Sequence, residues 1–396
     1  MTTATPERRA RRQAHLLELT QTPTAAGLEQ RVHAWVERFL QPHASALDVV
    51  RDAAGNWLVL QRRRQAGKPL VLFTAHLDHP AFVVTACTGE RTLELEFRGG
   101  VNDPYFVGAE IEVVATDDTR HAAVITTLDA QAKPFKKVTA TLHAPAPQVQ
   151  PGQLARWRFP RAEIIDGVLH TDACDDLAAA AAALCVFEEL LEHPDAGNTG
   201  LLLTVAEEVG FIGAIHAART HLVPHSAALI CLENSRSFPH DSPIGAGAIL
   251  RVGDRLSVFS PSLTNRLTQL FSEHQKKDPS FRYQRKLMAG GACEATAFAS
   301  FGLESTCLCL PLGNYHNMVD IDGVAAGKAQ AAVGREHISV EDFHSLCTML
   351  HVAALHLDTA SLEPFGQLME SLYAERAFVA GVAPGAHAGT AVRATV

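Results

Sequence analysis

The chain alternates between stretches with helical spacing of apolar residues and short, continuous apolar runs. Between residues 12 and 40, apolar positions recur every three or four residues, which predicts helical structure. The runs "WLVLQ" and "KPLVLFTAHLDHP" predict buried strands, and the second of them ends in polar residues. The segment "DDLAAAAAALCVFEELLEH" predicts an alanine-rich helix, and strands and helices then alternate through Leu355. This alternation is typical of an α/β fold with a mostly parallel sheet.

The pattern changes from about residue 81 to 169, where apolar and polar residues alternate with a period of two. "TLELEF" is one such segment, "AEIEVVAT" and "HAAVITTL" flank the turn "DDTR", and "AEIIDGVLH" contains an Asp-Gly hairpin turn. We therefore predict an all-β segment at residues 83–165, inserted into an α/β domain of residues 1–82 and 166–380. The Gly-, Pro- and Ala-rich residues 381–396 are predicted to form a flexible tail.

Composition limits the classes of function that the chain can have. It has 396 residues, of which 47% are hydrophobic and 19% charged, as expected for a globular protein with a sizeable core. The formal net charge of −9 and the lack of a long basic run argue against nucleic-acid binding. No apolar run reaches the length of about 18 residues that a membrane span needs. The eight cysteines are scattered, which favours reduced thiols and a cytoplasmic location.

Chemically reactive side chains cluster where predicted strands end. Open α/β sheets place their binding sites at the carboxyl ends of strands, so these side chains are expected to converge. A further carboxylate lies at the start of the alanine-rich helix, where it also suits the helix dipole. The residues concerned are His76, Asp78, Asp175, Glu207, Glu208, Glu233 and His316.

Two histidines and several carboxylates form the ligand set that Zn²⁺ or a similar divalent ion accepts. An adjacent pair of glutamates also needs a nearby positive charge, because each carboxylate raises the cost of ionising the other. Two ions would have to share one carboxylate, and Asp175 is the candidate for that bridge. His76 and Glu233 would then bind one ion, and Glu208 and His316 would bind the other.

In this arrangement Glu207 remains free to act as a general base, taking a proton from a water between the two ions. Asp78 is predicted to accept the second N–H of the His76 ring and so to fix its orientation. Plainer explanations exist for single residues: Asp175 as a helix cap, or His76 as a structural histidine. The occurrence of five such sites together favours a metal centre.

The same motifs resemble those of the M42 glutamyl aminopeptidases, which are related to the M28 and M20 metallohydrolases. The resemblance rests on "DAAGNWLV", "AHLD", "DD", "EEVGFIGA", "GGACEATAF" and "LPLGNYHNMVD", in that order, and covers nearly the whole chain. It implies a three-layer α/β sandwich like that of the zinc peptidases, with an inserted small β-barrel domain. It also implies two divalent ions, zinc or alternatively cobalt or manganese, and a homo-oligomer that releases N-terminal residues from peptides.

Glu233 is a departure from this pattern, because the family's aminopeptidases usually have aspartate there. Glutamate at this position resembles the residue found in several related carboxypeptidases and acylases. An N-acyl-amino-acid amidohydrolase is therefore the alternative enzyme. Its substrate would be an acylated amino acid in place of a peptide with a free amine. A non-catalytic binding or assembly protein that retains the fold is the alternative from another class.

Overall fold

The computed structural model describes residues 4–381, so all but the first residue of the predicted tail lies outside the described residues. The chain forms two units, the first ending at Asp358 and the second beginning at Thr359. In the second unit, Glu363–Arg376 forms an α-helix. No helix among the described residues combines the length and apolar character needed to cross a bilayer.

The helices of the first unit are mostly those that the apolar spacing predicts. The predicted helical region of residues 12–40 is divided in two, because a segment containing Pro23 separates its halves and proline disfavours helix in the residue before it. The α-helices are Pro6–Leu19 (α1), Gln30–Leu40 (α2), Leu177–Leu190 (α3), Ile212–Arg219 (α4), Pro261–Lys277 (α5), Glu294–Ser300 (α6), Ile321–Ala325 (α7) and Val340–His356 (α8).

The strands belong to a large sheet, a closed barrel and a small sheet. In chain order they are Leu47–Arg51 (β1), Trp57–Gln61 (β2), Val71–His76 (β3), Ala81–Cys87 (β4), Thr92–Arg98 (β5), Glu110–Val114 (β6), Arg120–Asp129 (β7), Lys136–Leu142 (β8), Leu154–Trp157 (β9), Glu163–Ile165 (β10), Val168–Thr171 (β11), Thr199–Thr204 (β12), Ala228–Arg236 (β13), Ala248–Gly253 (β14), Tyr283–Leu287 (β15), Glu304–Leu312 (β16) and Glu336–Ser339 (β17).

The large sheet has the order β1-β2-β12-β3-β13-β16-β14-β15. Its central strands β12, β3, β13 and β16 are mutually parallel, so their carboxyl ends meet at one edge. Successive residues of β3 point to opposite faces: Phe73 packs into a cluster with α3 and α8, whereas Leu72 packs with α4 and α6. Helices therefore cover both faces of the sheet, and the predicted α/β class is confirmed.

The barrel closes in the order β4-β5-β8-β7-β6-β9. Its core contains Phe82, Phe97 and Trp157, and also Met318, which comes from far along the chain. The Asp-Gly turn predicted in "AEIIDGVLH" connects β10 and β11, with positive φ at Asp166 and Gly167. These two strands do not join the barrel but form a small sheet with β17.

Candidate metal centre

His76 lies at the carboxyl end of β3, directly beside Thr204 at the end of β12. The imidazole is buried, and its Nδ1 lies 3.1 Å from the main-chain oxygen of Asp78. A carbonyl oxygen can only accept, so Nδ1 carries a hydrogen and Nε2 is the ring nitrogen that faces the site. The Asp78 carboxylate, predicted to accept this N–H, lies slightly farther from Nδ1, at 3.5 Å.

The Asp78 carboxylate has another contact that its spacing from His76 does not suggest. Its two oxygens accept hydrogen bonds from the backbone amides of Glu207 (2.9 Å) and Glu208 (3.1 Å). The preceding amide, of Ala206, donates to the buried carboxylate of Glu29 at 3.0 Å. The turn that presents both glutamates is thus held by side chains from distant segments, and Ala206 keeps a positive φ of 52° within it.

Asp175 lies between the two predicted histidine ligands. Its Oδ1 is 3.4 Å from Nε2 of His76, and its Oδ2 is 3.4 Å from Nε2 of His316. Its main-chain oxygen accepts a hydrogen bond from His79. Asp176 occupies the N-cap position of α3, but its side chain accepts from Asn234 at 2.9 Å and makes no capping hydrogen bond.

His316 lies in a short 3-10 turn rather than at a strand end, with a φ of 52°. Its Nδ1 donates to the carbonyl oxygen of Gly100 at 2.6 Å, so its Nε2 faces Asp175 and Glu208. The distance from that Nε2 to Oε1 of Glu208 is 3.3 Å. Gly100 belongs to the all-β segment, which therefore orients a predicted ligand although the predicted ligands all lie outside it.

The spacing of these atoms suits bound cations. The groups His76–Asp175–Glu233 and Asp175–Glu208–His316 each offer ligand atoms within 4.8 Å of one another, as does a third group in which Glu207 and Glu208 accompany His76. A tetrahedral Zn²⁺ holds neighbouring ligand atoms roughly 3.3–3.6 Å apart, given bonds of about 2.0–2.2 Å. Within residues 4–381, Nε2 of His76, Oδ1 of Asp175 and Oε1 of Glu208 are buried without a hydrogen-bond partner. The residues present therefore fit divalent ions.

The electrostatics point the same way. Burial raises the pKa of Glu207 and of Glu233 well above the ordinary value, and neighbouring carboxylates add to the shift. Burial alone would lower the pKa of His76 and of His316, but the surrounding carboxylates raise both. Burial opposes the ionisation of Asp175, yet the two histidines hold its pKa below the usual range. A bound cation would relieve this excess of buried carboxylates.

Two further buried glutamates border the centre, and neither was predicted from the sequence. Oε2 of Glu294 accepts a hydrogen bond from the Thr204 hydroxyl at 2.9 Å, and burial raises the pKa of this glutamate to about 7. Glu336, at the start of β17, accepts hydrogen bonds from the backbone of the turn that contains Asp175 and of the turn that contains His316. Glutamates that bind backbone amides have no characteristic spacing, so the sequence offered no signal for Glu336.

A sequence model of the M42 glutamyl aminopeptidase family matches residues 55–329, which include every predicted site residue. The chain belongs to this family. It is therefore a hydrolytic enzyme of a metal-dependent peptidase family, as the motifs predicted. No curated protein matches the chain with statistical significance.

Solved structures of peptidases share the fold of this M42 chain. A TET aminopeptidase from the marine sediment archaeon Thaumarchaeota archaeon SCGC AB-539-E09 is 18% identical, with a TM-score of 0.73 over 90% of this chain and 99% of that one. The TET1 peptidase of Pyrococcus horikoshii is 20% identical, with a TM-score of 0.68 over 87% and 99%. Aminopeptidase APDkam598 from Desulfurococcus kamchatkensis is 17% identical, with a TM-score of 0.69 over 89% and 99%.

Proposed function

We propose that this chain is a dimetal aminopeptidase that releases N-terminal residues from peptides. One observation supports the proposal above all: Asp175 lies 3.4 Å from Nε2 of both His76 and His316. A carboxylate with one oxygen toward each of two histidines matches the requirement for a ligand shared by two ions. Membership of the M42 family supports the peptidase reaction.

In this proposal His76, Asp175 and Glu233 hold one ion, and Asp175, Glu208 and His316 hold the other. Zn²⁺ suits this mixture of imidazole and carboxylate ligands, and Co²⁺ or Mn²⁺ are alternatives. When bound, such ions polarise the scissile carbonyl and lower the pKa of a water toward about 7.

Glu207 is the proposed general base. Its carboxylate lies 3.9 Å from Nε2 of His76, beside the predicted ligands, and this assignment does not need it to hold either ion. It would take up a proton during the reaction and then deliver it to the leaving amine. The hydrogen bond from the Glu207 amide to Asp78 fixes the start of this side chain, so Asp78 has a positioning role for base and ligand together.

The architecture supports two further parts of the proposal. We propose a three-layer sandwich for the peptidase domain of residues 1–82 and 166–380, because helices pack on both faces of the large sheet. Residues 83–165 would be the inserted domain, which contributes to self-association. The Pyrococcus horikoshii TET1 peptidase assembles into a tetrahedron or a large octahedral shell, which favours a homo-oligomer here.

The second candidate is an N-acyl-amino-acid amidohydrolase that uses the same centre. Glu233 favours it, because this residue lies within β13, 3.9 Å from Nε2 of His76, where the family's aminopeptidases usually have aspartate. The longer side chain alters the space beside the predicted ion that would otherwise receive a free amine.

One experiment distinguishes the candidates. The purified protein is loaded with Zn²⁺, Co²⁺ or Mn²⁺, and kcat/KM is measured on free-amine aminoacyl anilides and on matched N-acylated amino acids. We expect metal-dependent activity on the free-amine substrates. Activity confined to the N-acylated substrates would favour the amidohydrolase, and a protein that binds no divalent metal would contradict both.

A further inference from the structure

Glu336 connects the two turns that carry Asp175 and His316. Its side chain is fully buried at the start of β17. Oε2 accepts hydrogen bonds from the backbone amides of Cys174 (2.7 Å) and Asp175 (3.0 Å), and Oε1 accepts one from the amide of His316 (2.8 Å). One carboxylate group thus fixes the backbone of two residues that are 141 positions apart in the sequence.

Neither turn belongs to regular structure that would fix it alone. Asp175 lies between β11 and α3, and His316 lies in a turn where Asn314, His316 and Asn317 all have positive φ. Non-glycine residues rarely adopt this conformation, so the surrounding contacts must maintain it. The hydrogen bond from the His316 backbone amide to Glu336 is one of those contacts, and it acts on His316 itself.

We propose that Glu336 is a positioning residue that keeps the Asp175 carboxylate and the His316 ring close enough to bind the same ion. This inference rests on the proposed function, because it assigns Glu336 to the second ion of the dimetal centre. Among the described residues Glu336 makes no hydrogen bond to either side chain, and it holds both through their backbone amides. Residues that orient ligands in this way typically change metal affinity or activity by about 10–100-fold when they are replaced.

The substitution Glu336→Gln separates positioning from simple filling of space. A carboxylate offers two acceptor oxygens, whereas the amide group of glutamine offers one oxygen and one NH₂ donor. Whichever way the amide turns, one of the two turns loses its acceptor and meets a donor instead. The side-chain volume is almost unchanged, so the packing around β17 is retained.

Asp342 provides a matched control. It is a fully buried carboxylate whose oxygens accept hydrogen bonds from the backbone amides of Gly245 (2.6 Å) and Gly247 (2.7 Å). Neither glycine is next to a predicted ligand in the sequence. Asp342→Asn therefore removes the same kind of interaction elsewhere. Both variants are expected to lose thermal stability in the metal-free state, since each leaves a backbone amide without its acceptor.

The test is the affinity of each purified, folded protein for Zn²⁺, measured by competition with a chromogenic chelator. We expect Glu336→Gln to bind one of its two ions about 10–100-fold less tightly than the parent, and Asp342→Asn to bind both as the parent does. Parent-like affinity in Glu336→Gln, or equal weakening in both variants, would overturn the proposal.

A second variant covers the case in which Glu336→Gln does not fold. Glu336→Asp keeps both acceptor oxygens on a shorter side chain that cannot reach both turns together, so weaker binding is expected again. Parent-like affinity in this variant also overturns the positioning role. A parent protein that binds no Zn²⁺ would instead refute the proposed function.

Discussion

The two histidines of the candidate metal centre are held in different ways. His76 follows directly from the geometry of the sheet: it ends β3, pairs in register with Thr204 of β12, and is oriented by an oxygen only two residues away. His316 follows from no regular element. Its ring donates to the carbonyl oxygen of Gly100 in the all-β segment, its amide donates to Glu336 of β17, and nearby Met318 is buried in the barrel core.

This difference indicates where the centre is robust and where it depends on distant parts of the chain. The position of His76 is fixed by the same hydrogen bonds that build the sheet, so a change that leaves the sheet intact should leave this histidine in place. The His316 side needs three separate segments to be correctly placed. We therefore expect metal binding on that side to be the more sensitive to substitutions outside the ligands.

The largest effect is expected where the two sides meet. Asp175→Ala removes a carboxylate whose two oxygens face the two histidines, so we expect loss of metal on both sides and no measurable turnover. Elemental analysis of the purified variant tests this. Asp176→Asn is the control: its side chain is equally buried but belongs to none of the ligand groups, and it should retain metal. Parent-like metal content in Asp175→Ala would leave this residue with a structural role only.

A smaller but still large effect is expected for the proposed base. Glu207→Gln should keep its metal and lose about 10²–10⁴-fold in kcat, because the amide retains the shape and cannot accept a proton. Glu208→Gln should behave differently, losing metal on the His316 side because its Oε1 lies 3.3 Å from that imidazole. Full activity in Glu207→Gln, or the same metal loss in both variants, would contradict the assigned roles.

The same contrast explains what could be predicted from the sequence. The position of His76 followed from an apolar run that ends in polar residues, and the barrel strands followed from alternation such as that of "TLELEF". His316 was predicted as a metal ligand at a strand end, but it lies in a separate short turn after β16. Its orienting partners, Gly100 and Glu336, are a main-chain oxygen and a carboxylate bound to amides, and neither leaves a pattern in one sequence. Long-range contacts of this kind require the tertiary structure.

Glu233 allows the His76 side to be tested separately. Glu233→Asp shortens a side chain that lies 3.9 Å from Nε2 of His76, and it restores the residue usual in the family's aminopeptidases. We expect metal and fold to be retained while the ratio of kcat/KM on free-amine and N-acylated substrates changes. A displacement of about 1 Å costs up to roughly 10²-fold in rate, which is the upper limit for this change. An unchanged ratio would mean that Glu233 does not influence substrate choice.

The smallest effect is expected for a barrel residue that acts on the His316 side alone. The Tyr105 hydroxyl donates to the main-chain oxygen of Val319 at 2.8 Å, three residues after His316. Tyr105→Phe should cost about 0.5–1.5 kcal/mol of stability, the usual value of one such hydrogen bond, and weaken the binding of one ion a few-fold. The other ion should bind as in the parent, because no contact of Tyr105 reaches the His76 side among the hydrogen bonds of the described residues.

Tyr283→Phe is the matched control, because it removes a hydroxyl that lies 2.8 Å from Oγ of Ser272, away from the centre. Both variants should unfold at lower temperature than the parent, but only Tyr105→Phe should alter the chelator competition. If the two variants bound Zn²⁺ equally well, the contact between barrel and turn would stabilise the fold without tuning the centre. The asymmetry between the histidines would then depend on Gly100 and Glu336 alone, and Glu336→Gln would become the decisive measurement.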